Sequence, residues 1–98
     1  MRSDQSIKRR NDNGSTDAAL TLALRALAHI AGDPVLGPRL LSTTGLDVET
    51  LRARAGDSAL LAEVLAFLTN HEPSLIEVAA ALDVRPAELA AAEQGLTA

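Results

Sequence analysis

Two histidines and a few hydroxyl groups are the residues of this chain whose types could do chemistry. A zinc centre needs three or four ligands converging on one point. His29 has only Asp33 one helical turn away, and His71 has only Glu72 beside it at what reads as a helix junction. Cysteine is absent, which removes disulfides and thiolate ligands. The Ser42-Thr43-Thr44 run offers hydroxyls, but such groups just ahead of a glycine stop commonly bond back to helix carbonyls. No nucleophile, base and orienting group fall at a readable spacing. The sequence therefore predicts a non-enzymatic protein with no catalytic, cofactor-binding or metal-binding residues and no cofactor.

Two further patterns carry function in other proteins. From Leu75 to Gln94 the spacing is that of a helix-turn-helix, with Ala79 fifth and Val78, Leu82, Val84 and Leu89 at the fourth, eighth, tenth and fifteenth places. The ninth place usually wants glycine for its positive φ, and Asp83, which tolerates that region less well, stands there. A recognition helix must offer donors to base edges and cations to phosphates, whereas residues 85–94 supply Arg85 against Glu88 and Glu93. Gly56-Asp57-Ser58 is similar to the helix-start serine of an acyl carrier protein, which accepts a phosphopantetheine arm. The helix that follows holds only Glu63 where carriers present an acidic face, and plain capping by Asp57 and Ser58 accounts for the motif.

The elements that must position these residues are helical. Nineteen alanines and seventeen leucines, with Phe67 the sole aromatic, favour helix, and no alternating β pattern occurs. Residues 1–15 are polar and read as a disordered tail ahead of a single domain over 16–98. The first helix is expected to start at Ser15 or Thr16, to turn Leu20, Leu24, Leu27 and Ala31 inward, and to end at a left-handed Gly32. Asp33-Pro34 restarts a second helix through Leu36, Leu40 and Leu41 to Gly45, its opening turn irregular at Gly37-Pro38. Asp47 caps a third, with Val48, Leu51 and Ala55 inward and Gly56 as its stop. Asp57-Ser58 caps a fourth, with Leu60, Leu61, Val64, Leu65 and Leu68 inward and Asn70 closing it. A fifth runs from about Pro73 to Leu82, and a sixth from Pro86 to Gly95 buries Leu89 and Ala92. The expectation is an all-α bundle of about six short helices, with a helix-turn-helix-like C-terminal part. An offset of 38 residues lays Leu22, Leu27, Leu51 and Ala53 on Leu60, Leu65, Leu89 and Ala91, so two repeated three-helix units compete with chance periodicity.

Charge narrows the partners. Residues 1–15 carry Arg2, Lys8, Arg9 and Arg10 against two aspartates, while residues 16–98 carry five arginines against eleven carboxylates, a net of −6. Such a body repels a phosphate backbone, and Phe67 alone offers a face for base stacking, so nucleic acid is disfavoured. No segment has the length and apolarity of a membrane span, and none has the pattern of a signal peptide, which places the chain in the cytoplasm by default.

Ala26-Leu27-Ala28-His29-Ile30-Ala31-Gly32-Asp33-Pro34, then Thr44-Gly45-Leu46, Leu51-Arg52, Val64-Leu65-Ala66-Phe67-Leu68 and His71-Glu72 resemble a family of short alphaproteobacterial proteins catalogued as a domain of unknown function. The resemblance covers about residues 17–95, with Gly37-Pro38 as a departure. It implies a helical fold and a bacterial cytoplasmic origin, and carries over no active site. What remains is binding of an unknown protein partner or of a second copy. The alanine runs Ala79-Ala80-Ala81 and Ala90-Ala91-Ala92 cannot all face one core, which points to association through the last two helices. A degenerate helix-turn-helix and an acyl-carrier-like protein are the alternatives.

Overall fold

A computed structural model describes residues 2–97 of the chain, with side chains for residues 17–97. Among the described residues it is all-α, with six helices and no strand: α1 (Arg2–Ala31), α2 (Leu36–Thr44), α3 (Val48–Ala53), α4 (Ser58–Thr69), α5 (Glu72–Leu82) and α6 (Pro86–Thr97).

α4 is the central rod. Leu60, Leu61, Ala62, Val64, Leu65, Phe67 and Leu68 are all buried, so the helix is apolar nearly all round, as a helix enclosed by others must be. α6 and α1 cover most of it, and α2 and α5 pack on it less extensively. Asp57 accepts from the Ala59 N–H at 2.9 Å to start α4, and Asn70 closes it as expected.

α1 differs from expectation in both its start and its inner face. The helix continues upstream through Ser15 and Thr16 to Arg2, so neither residue begins it. That segment contains no proline, and the single Gly14 costs only about 1 kcal/mol in a helix interior, too little to force a break. The expected tail of residues 1–15 lies outside the described side chains. The buried face is Ala19, Ala23, Ala26, Leu27 and Ile30, which shares only Leu27 with the expected leucine stripe. Leu20 is only partly covered, and Leu24 and Ala31 are exposed. The cause is α6, which packs against both α1 and α4. Its Ala92 is buried, and a Cβ built on Gly95 would lie 3.7 Å from the Ala19 Cβ. Two helices meeting through small residues approach closely, and alanine fits that interface where leucine would not.

Three glycines do different work from that read off the sequence. Only Gly45 has the left-handed backbone of a stop (φ 75°), donating its N–H to the Leu41 carbonyl at 2.8 Å. Gly32 and Gly56 do not take that conformation, because Asp33 and Asp57 turn the chain straight into the next element, their N–H groups bonding Ile30 O and Arg54 O. Gly95 sits inside α6 rather than ending it. The irregularity expected at Gly37-Pro38 falls earlier, in a turn over residues 34–35, where the Asp33 carboxylate accepts from the Val35 and Leu36 N–H groups. Pro38 then lies in the first turn of α2, where a missing N–H disturbs least.

Asp47 starts α3 by accepting from the Thr50 N–H at 2.7 Å. α3 itself buries no residue: Val48 is 52% exposed, and Leu51 is only partly covered. The inward role expected of Val48 is thus corrected. α3 is short and closed off by two turns, so it rests against the bundle rather than entering it. The two halves of the chain share an order of elements, but α6 lies between α1 and α4 whereas α3 has no such seat.

α5 ends on Asp83 in the left-handed region (φ 59°, ψ 44°), with the Val84 N–H reaching Ala79 O and the Asp83 N–H reaching Ala80 O. The Arg25 guanidinium on α1 donates to Leu82 O at 2.8 Å, placing a cation at the negative end of α5. Thr69 donates to Glu93 Oε1 at 2.7 Å, joining α4 to α6.

Candidate functional site

The residues singled out for chemistry do not converge. His29 is half-buried near the end of α1, while His71 is exposed at the N-cap of α5, its Nδ1 2.7 Å from the Ser74 hydroxyl. Among the described residues no three of His, Asp and Glu approach closely enough to hold a metal ion. Thr44 donates to Leu40 O at 2.8 Å, the carbonyl back-bonding expected of a hydroxyl before a glycine stop. Ser58 is the exposed first residue of α4, beside the capping Asp57. Arg85, the lone cation of residues 85–94, lies 3.6 Å from Glu88, whose carboxylate also accepts the Arg85 N–H at 2.8 Å. The side chains of Lys8, Arg9 and Arg10 lie outside the described residues.

Three aspartates at helix starts have shifted carboxyls: Asp47 and Asp57 cap α3 and α4, and Asp33 lies in the turn just ahead of α2, whose N-cap position is Val35. The Asp33 carboxyl is held below its ordinary range by the N–H groups of Leu36 and then Val35, Asp47 by the Thr50 N–H, and Asp57 by the Ala59 N–H. These are structural anions that start helices, and none faces a cavity with a second reactive group.

What the fold does build is an apolar groove between α1 and α3. Leu27, Ala28 and Ala31 form one wall, Val48, Leu51 and Ala55 the other, and Arg52 stands at the rim around about 200 Å³. Leu24, one turn before Leu27 and Ala28, is 42% exposed and continues the α1 wall. Leu24 and Ala31 belong to the leucine stripe that periodicity assigns to the core, and both are exposed here, while Leu27 of the same stripe is buried.

The α5–α6 surface expected to mediate association exposes Ile76, Ala80, Ala81 and Ala91, while Ala79 and Ala92 are buried. The concavities that α6 borders carry carboxylates: Glu88 in the one shared with α1, Glu63 and Glu93 in the one shared with α4.

The sequence model of one family, described as a protein of unknown function (DUF3572), matches residues 16–98. The chain belongs to that family. The DUF3572 match takes in all of α2 to α6 and the part of α1 that enters the core, so both walls of the groove are family structure. Residues 1–15 fall outside it. No curated protein and no solved structure matches the chain. Among the described residues, no single helix is long and apolar enough to cross a membrane.

Proposed function

We propose that this DUF3572 chain is a non-enzymatic helical module that self-associates, two copies meeting through the α1–α3 groove. One observation carries the reading: exposed Leu24 and Val48 stand on the same face as the groove formed by Leu27, Ala28, Ala31, Leu51 and Ala55. A two-fold contact requires one patch to hold both the projecting group and its receptacle. This patch does. Its charges suit a pair as well, since exposed Glu49 and Arg52 lie on the same short helix, and an antiparallel α3 from a second copy brings each Arg52 towards the other's Glu49. The concavities bordered by α6 would oppose carboxylate to carboxylate across such an axis. The setting proposed is the cytoplasm of an alphaproteobacterium, on the strength of the sequence resemblance.

Sedimentation velocity of the purified chain tests this. A dimer is expected, reverting to monomer in Leu24→Glu and Val48→Glu while the helical circular dichroism is retained. A monomer at all concentrations up to about 1 mM, the weak end of specific binding, rules the reading out.

Asp83 supports a second reading, a degenerate helix-turn-helix that binds nucleic acid, because its left-handed backbone supplies the turn that such a motif needs. Arg85 is the cation it would use, although Glu88 already engages it. Salt-sensitive retardation of duplex DNA that disappears in Arg85→Ala is the result this reading requires.

A further inference from the structure

On another face of the molecule, α2, the end of α4 and the N-cap of α5 enclose a cleft of about 300 Å³ lined by Arg39, Thr43, Phe67, Asn70 and His71. Its lining holds a guanidinium and an imidazole and no carboxylate, in a chain whose formal charge is −4. Among the described residues Arg39 is in no ion pair, unlike Arg54 with Asp57 and Arg85 with Glu88. The hydroxyl of Thr43 and the amide of Asn70 likewise have no protein partner among these residues, whereas neighbouring Thr44 and Thr69 are both engaged. His71 is held in place: its Nδ1 meets the hydroxyl of Ser74, a buried residue, which leaves Nε2 as the open ring nitrogen. The floor is the buried Phe67, the only aromatic residue of the chain. An adjoining cleft of about 300 Å³ shares Thr43, Phe67 and Asn70 and carries Glu63.

We propose that this cleft binds the oxyanion of a small molecule, a phosphate or carboxylate group held by Arg39 and His71 with Thr43 and Asn70 completing its hydrogen bonds. Guanidinium donors pair with such oxygens in charge-assisted bonds, and an amide and a hydroxyl add orientation. The rest of the ligand lies along Phe67. Its far end is neutral or cationic, because Glu63 repels a second negative charge there.

Titration of the whole chain with inorganic phosphate and, separately, with acetate tests the site, each against chloride at matched ionic strength and read by amide chemical shifts. Saturable shifts confined to the residues around Arg39, Thr43, Asn70 and His71 are expected with at least one anion, and the anion that saturates identifies the group. Arg39→Gln, at an exposed position that leaves the core intact, should weaken binding about tenfold, the loss of one charge-assisted contact. Glu63→Gln should tighten it by about twofold, because a like charge is removed. Shifts that fail to saturate with either anion, or an Arg39→Gln protein that binds as tightly as the parent, overturn the proposal.

Discussion

A Cβ built on Gly37 stands 3.1 Å from the carbonyl oxygen of Ile30, so the start of α2 lies directly against the end of α1. That carbonyl belongs to helix backbone and has little room to yield. Gly95 is the opposite case, since its built Cβ meets only the Ala19 methyl at 3.7 Å, an ordinary contact. Gly37→Val should therefore lower stability by about 2 kcal/mol through overpacking. Gly95→Ala should raise it by about 0.5 to 1 kcal/mol through helix propensity. Chemical denaturation measures both, and equal signs would refute the distinction.

The rotated inner face of α1 makes a paired prediction. Ala23 and Ala26 are fully buried, and Leu24 between them is exposed. Ala23→Leu and Ala26→Leu should each cost about 1 to 3 kcal/mol by forcing α1 away from its neighbours. Leu24→Ala should cost under about 1 kcal/mol, as surface substitutions do. If instead the leucine truncation proved the costlier change in urea denaturation, the leucine stripe would be the core face after all.

Acid should weaken the fold through its caps. Asp33, Asp47 and Asp57 each have a carboxyl pKa below the ordinary 3.8, because backbone N–H groups favour the charged form. A depressed native pKa adds stability above the unfolded value, and that stability is lost as pH falls through the native one. Thermal stability should thus decline below about pH 4. Replacing all three with Asn, which still caps but carries no charge, should flatten that decline. An unchanged acid limb in the triple variant would assign the decline to other groups.

Asp83 pays a conformational cost that glycine avoids. Its φ of 59° is the left-handed region at the end of α5. Asp83→Gly should stabilise the chain by up to about 1 kcal/mol, and Asp83→Ala should destabilise it by a similar amount, because alanine has neither glycine's freedom nor aspartate's tolerance there. Thermal melts of the two variants should move in opposite directions.

The parts of this fold legible in the sequence are those governed by chemistry within a few residues. Asp47 and Asp57 start their helices because a carboxylate finds N–H groups two or three residues on, and Gly45 stops α2 because it alone there takes a positive φ without strain. The buried leucines of α4 were equally legible, since that helix has no polar side to choose. The inner face of α1 was not. Over residues 18–31 both its leucine side and its alanine side are apolar, and periodicity prefers the bulkier. Which side goes inward depends on how closely α6 approaches, and so on Gly95 and Ala92, more than sixty residues away. The groove beside α3 and the cleft of Arg39 and His71 were hidden for the same reason. Each joins side chains from separate helices, and only the packing of those helices decides which surfaces meet and which stay open.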